Sequence, residues 1–154
     1  MAENFRQALA ALGLALPPCA ASAGKYIGYR IAGDQFWCVQ GPLIGDSLAH
    51  QGVVGGDLTL EAGQSAARQV ALNILAQLDL ACGSDMERVA QVIRLGGYVN
   101  AAPGFTRHSL VMNAASEIFI ALLGERGGHT RFVTGCSSLP YDLAVEIEAV
   151  IQLR

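Results

Sequence analysis

The sequence predicts an α+β domain: a mixed β-sheet with two long helices packed on one of its faces. Three observations predict it. Two segments carry apolar residues at helical spacing over four turns or more, and several others alternate or run apolar in the manner of strands. The elements do not alternate strictly, because a hairpin precedes the first long helix and two strands follow the second. The chain has 154 residues, the size of one ordinary domain, so residues 1–154 are read as a single unit.

Residues 3–15 form an amphipathic helix, an N-terminal extension with Phe5, Leu9 and Leu12 on one face and Pro17-Pro18 as its stop. The early charges Glu3 and Arg6 argue against a signal peptide, and no apolar run approaches the ~20 residues of a membrane span. A cytoplasmic protein is expected. After a small-residue linker at 20–24, residues 25–32 and 35–39 read as two strands around the hairpin turn Gly33-Asp34. Residues 41–56 form a glycine-rich loop with a short strand at its end. It matches neither phosphate-binding glycine motif and is read as a loop.

Glu61 to Leu80 is the first long helix. Ala66, Val70, Ile74 and Leu78 recur every fourth residue, flanked by Ala67, Ala71 and Leu75, and Gly83 ends the segment. Residues 88–99 are rich in β-formers. Ser109 to Leu123 is the second helix, with Val111, Ala115, Ile118 and Leu122 facing inward and Gly124 closing it. Thr130 to Cys136 is a strand, and Leu143 to Leu153 is the most legible one. Val145, Ile147, Ala149, Ile151 and Leu153 share one face, with Glu146 and Glu148 on the other.

Composition narrows function. Apolar residues make up 52% and charged residues 15%, with a mean hydropathy of +0.37, which is more apolar surface than a monomer covers. The net charge is −3 and the nine arginines are dispersed, so nucleic acid is not an expected partner. A Schiff-base mechanism would rest on Lys25 alone. Cys19, Cys38, Cys82 and Cys136 never form a paired motif and read as small buried hydrophobes. The histidines at 50, 108 and 129 lack metal-ligand spacing, so no metal and no cofactor are expected.

Two carboxylates on an otherwise apolar strand stand out. A hairpin-like return through Leu139-Pro140 would bring Glu146 or Glu148 to the same face as Arg131. An arginine fork grips a carboxylate, and a glutamate beside it orients or deprotonates a water. The alternative is a solvated sheet face.

Several blocks, in order, resemble one family. They are Leu16-Pro17-Pro18, Gly52-Val53-Val54-Gly55-Gly56-Asp57-Leu58-Thr59, and Ala66-Ala67-Arg68 with Leu72-Asn73-Ile74-Leu75-Ala76. Further along come Gly97-Tyr98-Val99-Asn100-Ala101-Ala102-Pro103, Gly124-Glu125-Arg126-Gly127-Gly128-His129-Thr130-Arg131, Leu139-Pro140-Tyr141 and Val145-Glu146-Ile147-Glu148-Ala149. Together they resemble the longer branch of the YjgF family, the reactive-intermediate (enamine/imine) deaminases, also labelled L-PSP endoribonucleases. The resemblance implies a chorismate-mutase-like fold, a homotrimer with clefts between subunits, and hydrolysis of small 2-imino or enamine carboxylic acids to 2-keto acids and ammonia. It implies that Arg131 grips the substrate carboxylate and Glu146 positions the water, with Tyr26 and Asn113 lining the cleft. Departures from the family pattern are concentrated in the pocket. Cys38 or Val39 takes the place of a serine, and Val133 stands where a cysteine is usual. A binding protein for small carboxylates without turnover, or an endoribonuclease, are the alternative readings.

Overall fold

The computed structural model describes residues 2–22 and 24–154, with side chains from Phe5 onward. Its elements are α1 (Ala2–Ala11), β1 (Tyr29–Ala32), β2 (Gln35–Gln40), α2 (Leu60–Ala81), β3 (Val89–Asn100), α3 (His108–Leu123), β4 (Thr130–Cys136) and β5 (Val145–Leu153). The five strands form one sheet in the order β1-β2-β5-β3-β4. All neighbours are antiparallel except β3 and β4, which are parallel. The sheet is therefore mixed, and α2 and α3 pack against each other and against one of its faces.

The central strand β5 sets this arrangement. Val145, Ile147, Ala149 and Ile151 are each fully buried beneath the helices. The alternation of a strand then turns Glu146, Glu148 and Gln152 to the opposite, open face. Opposite them, α2 lays its stripe Ala66, Val70, Ile74 and Leu78 on the sheet, every one of them fully buried. The helix begins at Thr59, whose hydroxyl accepts a hydrogen bond from the Ala62 amide at 3.1 Å. Two successive glycines of β3 relieve crowding on both faces. A Cβ on Gly96 would collide with the Phe132 ring on the open side, and one on Gly97 with Met112 of α3.

Four local expectations change. The α1 helix stops at Ala11, earlier than residue 15, because Gly13 adopts φ +68° and the Leu14 amide folds back to the Leu9 carbonyl at 2.8 Å. Leu14 thus joins the core beside Phe5 and Leu9, and Leu12 is left exposed. The first strand begins at Tyr29 instead of residue 25. Tyr26 N donates to Gly24 O in a turn, and Gly28 is pressed against the Gln77 amide, leaving no room for a straight run. The loop at 41–56 ends in isolated bridges from Gln51 and Val54 in place of a strand, and Asn73 of α2 anchors it by donating to Gly41 O and Leu43 O. Of the four cysteines only Cys38 and Cys82 are buried; Cys19 is exposed in the segment after α1, and Cys136, at the end of the edge strand β4, is half-buried.

Among the described residues no helix is long and apolar enough to cross a membrane, and no cluster of three or more His, Cys, Asp or Glu is placed to hold a metal ion.

Ile147 lies on the inward face of the central strand with no exposed surface. Ile147→Ala should lower unfolding free energy by about 2–5 kcal/mol in a denaturant titration, the range for emptying a fully packed core position.

Candidate functional site

The strand order separates the two groups on which the sequence reading converges. β4 and β5 are not neighbours, because β3 lies between them. The hairpin-like return expected through Leu139-Pro140 does not occur. Instead the connection passes the end of β3, where Asn100 pairs with Cys136 on one side and Val99 with Val145 on the other. A turn sequence fixes only the local bend, whereas the partner of an edge strand is chosen by side chains far away in the chain.

Register then decides which face each side chain takes. Arg131 pairs with Leu95, and Leu95 pairs with Ala149, both fully buried under the helices. Arg131 therefore points to the helix side. Its Nη1 donates to Ser116 Oγ at 3.0 Å and its Nη2 to the Ser109 carbonyl at 3.4 Å, both on α3. Glu146 pairs with Tyr98 on the open face. Within one chain the guanidinium and the carboxylate stand on opposite sides of the same sheet.

The other expected site residues divide in the same way. On the helix side, Val133 pairs with Gly97 and packs partly against the core. Asn113 lies on the stripe of α3 that carries Ser109 and Ser116, and it is half-buried. On the open face, Val39 pairs with Glu148 and is 52% exposed. Cys38 pairs with Ala149 and turns inward, and burial pushes its thiol up to about 12. Of the two residues that could stand in for a serine, Val39 is the one whose side chain shares a face with Glu146.

Tyr26 and Glu146 line one cavity of about 440 Å³, together with Leu43, Leu48 and Tyr141. Burial raises the Glu146 carboxyl above its ordinary value. Glu148, in contrast, faces Arg94 at 3.7 Å, and that arginine lies 4.9 Å from the centre of the Phe132 ring. Among the described residues Glu146 has no such ion pair. A carboxyl that is half-buried, raised and unpaired is suited to exchanging a proton with a water. A wider groove of about 550 Å³ lies between β1 and the end of α2, lined by Tyr29, Arg30 and Gln77, and holds none of the expected site residues.

Tyr141 is a wall of the Glu146 cavity that sequence reasoning did not single out as a site residue. It and Asp142 both have φ +56°, an uncommon conformation for side-chain-bearing residues. Three bonds from residues distant in the chain hold the pair: Gln51 Nε2 donates to Tyr141 O at 2.7 Å, Gly52 N to Asp142 O at 2.7 Å, and the buried Asn100 Nδ2 to Asp142 Oδ1 at 3.1 Å. The Leu139-Pro140-Tyr141 block was visible in the sequence, but its left-handed geometry depends on Gln51 and Asn100, which are distant in the chain.

Comparison with known proteins places this arrangement. The family described as "YjgF/chorismate mutase-like, putative endoribonuclease" matches residues 6–149. Protein TCP17 of Trypanosoma cruzi is 39% identical over 148 residues, covering 93% of this chain and 90% of that protein. A crystal structure from Shewanella oneidensis MR-1, described as a putative endoribonuclease, superposes with a TM-score of 0.92 at 33% identity, covering 97% of this chain and 99% of that one. Escherichia coli TdcF, solved with bound serine, shares the fold, with a TM-score of 0.57 at 21% identity over 90% of this chain and 94% of that one. The sheet order, the two helices on one face and the match along nearly the whole sequence lead to one conclusion: the chain belongs to the YjgF/chorismate-mutase-like family.

Proposed function

We propose that the protein is a hydrolytic deaminase of small 2-imino or enamine carboxylic acids, working in clefts between the subunits of a homotrimer. The observation that carries the reading is the division of the site. Arg131, Asn113 and Val133 lie on the helix side of the edge strand β4, while Glu146, Tyr26 and Val39 lie on the open face. A second copy whose open face meets this edge would complete one cleft from the two halves. The exposed Trp37, Val39 and Tyr98 give that face an apolar surface suited to such contact.

In this cleft the Arg131 guanidinium grips the substrate carboxylate. It has five N–H donors, of which two are engaged with α3, leaving three. Glu146 of the neighbouring copy takes a proton from a water, and the oxygen attacks the imine carbon. That proton passes to the nitrogen to give a carbinolamine, whose hydroxyl then yields its own proton to the nitrogen as the C–N bond breaks, and ammonia leaves a 2-keto acid. The serine bound by TdcF is a small amino acid carrying the same carboxylate group. A second reading, carboxylate binding without turnover, is favoured by one observation: Val39 puts an aliphatic side chain, not a hydroxyl, on the face of Glu146.

Light scattering on the purified protein should give the mass of a trimer, and a monomer would remove the cleft. With a net charge of −3 and Glu146 and Glu148 on the open face, RNA should not be cleaved by carefully purified protein. Cleavage that is lost in Glu146→Gln would favour the endoribonuclease reading. In calorimetric titration with 2-ketobutyrate, Arg131→Ala should cost about 2–5 kcal/mol of binding, and Arg131→Lys should also weaken it because a point charge cannot reproduce the fork. Glu146→Gln should keep binding and lose turnover. Retained turnover would sink its role, whereas binding by wild type with no turnover would select the second reading. Because burial raises the Glu146 carboxyl, the group favours the fold below its unfolded value and that contribution is lost as pH rises through the folded value. Glu146→Gln should therefore melt higher than wild type at neutral pH, and the gain should vanish in acid.

A further inference from the structure

The Arg131 side chain is tethered by a chain of hydrogen bonds that admits one arrangement of protons. His129 Nδ1 lies 2.7 Å from the Gly127 carbonyl, which can only accept, so the ring carries its proton on Nδ1. Nε2 is then an acceptor, and it lies 2.9 Å from Ser116 Oγ. The serine hydroxyl donates to the ring, and its lone pairs are left for Arg131 Nη1 at 3.0 Å. Burial, together with the nearby Arg131 charge, holds His129 in the neutral form that this order requires, outweighing the opposite pull of the Gly127 carbonyl.

The fold builds this order in. Gly127 packs so closely on the end of α3 that a Cβ there would strike the Phe119 carbonyl, so the turn that supplies the accepting oxygen admits no side chain at this position. The Phe119 ring meets the His129 ring edge to face at 6.4 Å. Ser116 is 8% exposed and sits in the middle of α3. A serine there gives up helix propensity relative to alanine, and here its hydroxyl is saturated by a donor on one side and an acceptor on the other.

We propose that Ser116 and His129 are positioning residues for the Arg131 carboxylate anchor: the imidazole orients the serine hydroxyl, and the hydroxyl holds one end of the guanidinium so that its remaining N–H groups are presented to a substrate carboxylate. This rests on the carboxylate-anchor reading of Arg131. A guanidinium on a long, flexible side chain loses rotamer entropy when it grips an anion, and a tether in the free protein removes much of that loss beforehand.

The test is a titration of 2-ketobutyrate into wild type, Ser116→Ala, Ser116→Thr, His129→Phe and Arg131→Ala, each checked for a cooperative melt. It is paired with ¹⁵N NMR of the Arg131 guanidinium. Ser116→Ala puts the best helix former on α3, so it retains the fold. Ser116→Ala and His129→Phe should each weaken binding about tenfold, the scale of one charge-assisted hydrogen bond, while Ser116→Thr restores it to within about twofold. In Ser116→Ala, with only the 3.4 Å contact to the Ser109 carbonyl left, the separate Nη signals of a held guanidinium should broaden and draw together as its rotation speeds up. If Arg131→Ala loses binding while Ser116→Ala and His129→Phe bind like wild type, with unchanged NMR, the relay is overturned and the anchor stands. If Arg131→Ala binds like wild type, or wild type does not bind at all, the anchor itself fails and the relay with it.

Discussion

The central strand has to bury alternate side chains beneath two helices, and every feature of the site follows from that constraint. With Val145, Ile147, Ala149 and Ile151 fixed inward, Glu146 can only face the open side. Register carries the same parity outward through β3 to the edge, where Arg131 follows Leu95 to the helix side. A one-residue slip of any strand would invert all of its side chains, so the faces of Arg131 and Glu146 are set by the hydrophobic core as a whole. The division of the site between two faces is thus a consequence of packing. It makes the isolated chain a pair of half-sites.

Each half-site has its own electrostatic character. On the open side, burial of Glu146 without a cation favours its neutral form, while Glu148 two residues away is matched by Arg94. On the helix side, Arg131 lies next to a neutral imidazole and a serine, and among the described residues no carboxylate is a hydrogen-bond partner. A positive group and a proton acceptor, each without an ion pair among the described residues, are the two ends of a small anion-handling site. Both would be partly satisfied by one carboxylate ligand and one water.

Much of the fold was legible from periodicity. The stripe Ala66, Val70, Ile74 and Leu78 and the alternation from Val145 to Leu153 occur in the structure as the sequence implies, because core burial acts directly on local pattern. The partner of β4 was not legible. Leu139-Pro140 looks like a hairpin turn, and only the long-range fit of Phe132 over Gly96 and of Met112 against Gly97 shows why the strand lies beside β3. The end of α1 failed for a local reason, since Gly13 reverses the chain and replaces Leu12 with Leu14. In the candidate site the individual residue types were visible, but the faces they occupy were not. The relay through Ser116 and His129 joins a helix, a turn and a strand, and no spacing in the sequence connects them.

The central claim is that one ligand-binding cleft takes its guanidinium from one copy and its carboxylate from another. A crystal structure of the assembled protein soaked with 2-ketobutyrate tests it most directly. The account predicts the ligand carboxylate within hydrogen-bond distance of Arg131 of one subunit, with Glu146 of a neighbouring subunit facing its keto carbon. A ligand bound away from Arg131, or an assembly in which no open face meets a β4 edge, would contradict it.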